Sequence, residues 1–67
     1  MEIFGNRVKN ELKIQGKMQI DLANHLGIKK TTLCMWLSGK NEPPMKTIVE
    51  IALFLNVSTD YLLGLEN

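Results

Sequence analysis

Sixty-seven residues leave room for one domain, residues 1–67, and no second one. Hydrophobic residues make up 45% and charged residues 22%, with a net charge of +1, which fits a small globular protein and excludes a disordered tail, a repeat or a fibre. No apolar run exceeds five residues, as in Ile51 to Leu55, far short of the roughly 20 residues that span a bilayer.

The N-terminus, Met1-Glu2-Ile3-Phe4-Gly5, lacks the basic region and long apolar stretch of a signal peptide. The single cysteine, Cys34, cannot close an intrachain disulfide, and with only His25 for company it cannot anchor a zinc site. No metal, no cofactor and no membrane partner is therefore expected, and the chain reads as soluble and cytoplasmic. The charge is uneven: residues 1–46 hold all eight basic side chains and four acids, a surplus of +4, whereas residues 47–67 hold three acids and no base, −3. This gradient is either chance scatter on a solvated surface or a basic face followed by a neutral-to-acidic scaffold, and charge alone does not decide.

Apolar residues recur at three and four along the chain, not at two, so the whole sequence reads as helical. Phe4, Val8 and Leu12 form the stripe of a first helix, with Arg7, Asn10 and Lys13 turned outward and Gly16 placed to end it. A second helix, about Met18 to Leu26, carries Leu22, Ala23 and Leu26 and stops at Gly27. A third runs from Lys29 or Lys30 to Ser38, with Leu33, Trp36 and Leu37 on one side, and stops at Gly39. Turn residues through Pro43-Pro44 then lead into a fourth, Met45 to about Asn56, with Ile48, Ile51, Ala52 and Leu55 on one face. Ser58 offers an N-cap oxygen to a short fifth helix, Thr59 to Leu63, and Asp60 places a negative charge at its positive end. The expected fold class is all-α, a compact five-helix bundle.

The informative span is residues 18–38. Two short helices are separated by Leu26-Gly27-Ile28-Lys29, a turn too tight for a side-by-side hairpin, so the second helix leaves at a steep angle. Ala23 allows close approach, and Ile28 plugs the turn against Leu22 and Leu33. This is helix-turn-helix architecture, whose usual task is to place its second helix in the major groove of DNA.

Gln19-Ile20-Asp21-Leu22-Ala23, Leu26-Gly27-Ile28, Thr32-Leu33, Trp36, Ser38-Gly39-Lys40 and Pro43 occur in order, followed by Ile51-Ala52, Leu55, Val57-Ser58 and Asp60-Tyr61-Leu62-Leu63-Gly64. This ordered set closely resembles the lambda-repressor/Cro-like (Xre-type) helix-turn-helix family of bacterial and phage transcription regulators, over essentially the whole chain. At about 100° per residue, Lys30, Thr31, Cys34 and Met35 span about 0–140° of the third helix, while Leu33, Trp36 and Leu37 span about 240–340°. The apolar set anchors the helix and leaves the other face free. By resemblance, Lys30, Thr31, Cys34 and Met35 occupy the base-facing positions. Lysine there can donate to guanine O6 and N7, and the methyls of Thr31 and Met35 can pack on a thymine methyl.

Phosphate contacts follow a separate logic. Gln19 stands at the start of the second helix, where free N–H groups favour an anion, and the resemblance implies that its amide donates to a phosphate oxygen. Lys29 falls where relatives often carry a capping serine or threonine, and a nearby phosphate would offset the unfavourable charge. Ser38, Lys40 and Asn41, after the third helix, are expected to meet the backbone too. Leu53, Phe54, Tyr61 and Leu65 are candidates for a dimer contact. Met18 and Lys17 depart from the family pattern, which predicts a looser start to the second helix. An arginine–glutamate pair found in several relatives is replaced by Leu12 and Leu37, so no charge is stranded and a direct leucine contact is expected.

No paired carboxylate, nucleophile with base, or glycine-rich phosphate loop suggests an enzyme. The expected function is sequence-specific binding of double-stranded DNA by a repressor, as a homodimer that forms on a near-palindromic operator and is weak in free solution. The alternative is an antitoxin that holds a toxin partner and represses its own operon.

Overall fold

Short helices draw most of their stability from burying one face, and each of the five helices here contributes to one core. In the computed structural model, which describes residues 2–66, the helices are α1 (Glu2–Ile14), α2 (Gln19–Leu26), α3 (Lys30–Leu37), α4 (Met45–Leu55) and α5 (Thr59–Leu62). Each expected helix is present. α2 begins one residue after the expected Met18, which is its N-cap, while Ser38, Asn56 and Leu63 fall just beyond the last turns of α3, α4 and α5 as C-caps. After every helix one residue enters the left-handed region: glycine at 16, 27, 39 and 64, and Asn56 at φ 56° after α4.

The core draws on all five helices. Phe4, Val8 and Leu12 from α1 meet Leu22 and Ala23 from α2, Leu33 and Leu37 from α3, the Ile48–Ile51–Ala52–Leu55 face of α4, and Leu62 from α5. α1 packs on α3 and α5, α2 on α3 and α4, and α4 on α5. Leu12 and Leu37 are each 3% exposed and belong to this one cluster, so the position of the absent ion pair is filled by hydrocarbon.

Three polar side chains tie helix ends together, and they correct one expectation. Arg7 is not turned outward. It borders the Phe4–Val8 stripe, is half-buried, and its guanidinium donates to the Tyr61 carbonyl at 2.6 Å and to the Glu66 carbonyl, 4.5 Å above the Tyr61 ring centre. The Tyr61 carbonyl also accepts from the Gly64 N–H at 3.2 Å, and a cation is favourable at this negative end of α5. At the end of α4, Gln15 Nε2 donates to the Leu55 carbonyl at 2.7 Å and Lys17 Nζ to the Phe54 carbonyl at 3.3 Å. Lys17 also sits 4.6 Å from the Phe54 ring centre, so the residue that departs from the family pattern buries its stem and caps a neighbouring helix with its charge.

α2 begins without a side-chain cap from Met18, as its thioether suggests. The Asp21 carboxylate accepts from the Met18 N–H at 2.9 Å, which supplies the reciprocal half of a capping box and anchors the first turn.

Candidate nucleic-acid interface

The α2–α3 connection is set by one glycine. Gly27 has φ 70°, its N–H donates to Asn24 O at 3.1 Å, and the next N–H, of Ile28, reaches back to Ala23 O at 3.0 Å. The chain thus closes α2 and turns within Gly27–Lys29 before α3 begins. Leu26 and Ile28 are half-buried and pack against the core on either side of that turn.

α3 divides as its wheel implies. Leu33 is fully buried, Leu37 nearly so, and Trp36 is half-buried against the core. On the other face Lys30 and Thr31 are exposed, Met35 is 42% exposed, and Cys34 is half-buried. Lys29 is the N-cap, extended and without a side-chain bond, and α3 has no acid in its first turn. Two cations therefore flank the positive end of a helix dipole, an arrangement that an anion would relieve.

The remaining candidates lie at the two edges of this face. Cys34 Sγ donates to Gln19 Oε1 at 3.4 Å, so one base-facing candidate and one phosphate candidate are brought together. The thiol engages the amide oxygen and leaves the Gln19 NH₂ group to donate elsewhere. Past the C-terminus of α3, the Met35 carbonyl accepts from Ser38 Oγ at 3.1 Å, Lys40 N at 3.1 Å and Asn41 N at 3.3 Å. This convergence pins the loop and presents the exposed side chains of Lys40 and Asn41 beside α3. It also uses the Ser38 hydroxyl proton, which leaves that oxygen as an acceptor, a poor match for phosphate.

The four dimer candidates do not share one environment. Leu53 and Leu65 are 76% and 73% exposed. Phe54 is half-buried, with Lys17 against its ring and the His25 ring 4.8 Å away at 40°, while Tyr61 lies half-buried under Arg7. Sequence reasoning missed the Cys34–Gln19 and Met35 carbonyl contacts. The turn glycines at 27 and 39 signalled where the chain doubles back, but not which atoms would meet.

Among the described residues no group of histidine, cysteine and carboxylate side chains is placed to hold a metal ion, and no helix is long and apolar enough to cross a membrane. A short helix anchored by leucines, cationic at its N-terminus and open on its far side, joined by a glycine turn to a supporting helix, defines a helix-turn-helix DNA-binding domain. The chain belongs to the bacteriophage CI repressor helix-turn-helix domain family, whose pattern matches residues 6–66.

Named relatives agree. The SPbeta prophage-derived uncharacterized HTH-type transcriptional regulator YonR of Bacillus subtilis is 38% identical over 61 residues, covering 91% of this chain and 56% of its own. The cryptic phage CTXphi transcriptional repressor RstR of Vibrio cholerae is 36% identical over 58 residues, 87% of this chain and 52% of its own. A third, the uncharacterized HTH-type transcriptional regulator YqaE of Bacillus subtilis, is 34% identical over 61 residues, 91% of this chain and 53% of its own. The chain thus spans about half the length of the curated relatives it matches. No solved structure matches it.

Proposed function

We propose that this chain is a sequence-specific transcription regulator of the cytoplasm that represses by occupying a near-palindromic operator, one α3 per half-site. The observation that carries this reading is the two-sided α3, with Leu33 and Leu37 buried and Lys30, Thr31 and Met35 open to a ligand. Lys30 donates to guanine O6 and N7, Thr31 and Met35 offer methyl groups to a thymine, and Cys34 borders the same base edges. Gln19, Lys29, Lys40 and Asn41 donate to phosphates on both sides of the groove and set the register, with Ser38 a minor member of the set.

Two copies are needed for energetic reasons. A specific repressor prefers its site over random DNA by about 4–10 kcal/mol, and a good base contact contributes about 1–3. One helix of eight residues reaches only a few base pairs, so a second reader about one DNA turn away supplies the rest. Leu53, Phe54, Tyr61 and Leu65 are the starting candidates for the contact between copies. Bound to a promoter, such a dimer excludes the polymerase.

Selection of bound sites from random duplexes tests the proposal. Enrichment of paired half-sites related by two-fold symmetry is expected. Recovery of no common sequence would overturn specific recognition, and recovery of single half-sites alone would overturn the dimer.

A further inference from the structure

We propose that the outer face of α4 is the surface through which two copies of this chain meet on DNA. The inference rests on the operator-dimer reading above and supplies its contact. α4 buries Ile48, Ile51, Ala52 and Leu55, yet it shows solvent a second apolar row. Met45, Val49 and Leu53 stand at i, i+4 and i+8 on one side of the helix and are 81%, 44% and 76% exposed. Single exposed apolar residues need no explanation, but a row running the length of a helix whose other side is already buried needs a partner.

A second copy of the same row fits it. With two α4 helices antiparallel about a two-fold axis at Val49, Met45 of each copy meets Leu53 of the other, and Val49 meets Val49. The charges agree with this pairing. Lys46 and Glu50 lie on the same flank of the row, about 60° and 100° from its centre line. Equivalent flanks face each other in an antiparallel pair, so each Lys46 comes within about 3 Å, along the axis, of Glu50 on the other copy. Two ion pairs of opposite charge therefore border the apolar row.

The size of the surface explains why DNA is required. Three such side chains present roughly a few hundred Å² per copy, well below the roughly 800 Å² per partner of a stable interface. Free chains stay monomeric, and contact forms where a duplex holds two copies side by side. The domain measures 29 × 25 × 18 Å, of the same order as the roughly 34 Å between half-sites one DNA turn apart. Of the four starting candidates, Leu53 alone belongs to this row: Tyr61 and Leu65 lie beyond α4, and the Phe54 ring is engaged by Lys17 within its own chain.

Charge reversal on the selected duplex tests the face. Lys46→Glu and Glu50→Lys should each lower cooperative binding to the full two-half-site duplex about tenfold, and the double variant should restore it, while all three bind an isolated half-site as the unaltered chain does. Val49→Cys, treated with a short bismaleimide on the full duplex, should give a dimer linked between the two introduced cysteines, identified by peptide mapping, with little on half-site duplex. Cooperative binding that is indifferent to the charge reversals and yields no such link would overturn this face and leave the operator dimer standing. Loss of half-site binding in the charge variants would likewise overturn it, by making Lys46 or Glu50 part of the DNA contact. An unaltered chain that shows no cooperativity on the full duplex would remove the operator dimer and this inference together.

Discussion

Gly5 rests against the Leu37 carbonyl: a Cβ added to Gly5 would lie 1.8 Å from that oxygen and 2.6 Å from its carbon. Two backbones therefore touch where α1 passes the end of α3, and the absence of a side chain at Gly5 sets how deeply α3 is seated. The obstacle is backbone, which cannot rotate away as a flexible side chain would. Gly5→Ala should cost about 3 kcal/mol of stability through forced separation of the two helices. Urea unfolding of the variant checks this, and a loss below about 0.5 kcal/mol would mean the crossing is slack.

Arg7 has a different kind of role, holding α5 and the residues after it to α1. Its guanidinium joins the Tyr61 and Glu66 carbonyls and covers the Tyr61 ring. Arg7→Met keeps most of the stem and removes the donors and the charge. A loss of about 1–2 kcal/mol is expected, with amide exchange speeding first in α5. Uniform acceleration across α1 to α5, with no lead in α5, would count against a local clamp.

Asn56 is the one residue other than glycine with a positive φ among the described residues, at 56°. The left-handed region costs an L-residue roughly 1–2 kcal/mol, and asparagine escapes part of that cost. Asn56→Gly should therefore stabilise the fold by up to about 1 kcal/mol, whereas Gly27→Ala, at φ 70° in the turn before α3, should destabilise it by about 1–2 kcal/mol. Thermal unfolding of the pair gives both signs, and a destabilised Asn56→Gly would point to a side-chain role for Asn56 outside the cap.

The features legible in the sequence were those set by local physics. Apolar spacing marks each helix, the turn residues mark each stop, and the α3 wheel separates Leu33 and Leu37 from Lys30, Thr31 and Met35 as the structure does. What could not be read depends on which distant group arrives. Gly5 looks like any glycine near an N-terminus until the Leu37 carbonyl is placed on it. Arg7, Gln15 and Lys17 look like solvated side chains, yet each donates to a carbonyl at the end of another helix. Arg7 and Lys17 also cover the Tyr61 and Phe54 rings, which residue type alone does not foretell.

The division between base and phosphate contacts gives the sharpest measurement. Lys30 and Met35 lie on the open side of α3, so Lys30→Ala and Met35→Ala should each cost about 1–3 kcal/mol on the selected duplex and far less on random DNA. Gln19 and Lys40 are the proposed phosphate contacts, and Gln19→Ala and Lys40→Ala should weaken both duplexes alike. A lysine–phosphate contact at Lys40 should also reduce the slope of log affinity against log salt by about one unit. Ser38 differs from the other phosphate candidates, because its hydroxyl already donates to the Met35 carbonyl at 3.1 Å and its oxygen would face a phosphate as an acceptor. Ser38→Ala should therefore change binding least of the set. Titrations on both duplexes at several salt concentrations read all five variants at once. Equal losses on selected and random DNA for Lys30→Ala and Met35→Ala would show that α3 meets the duplex with another face.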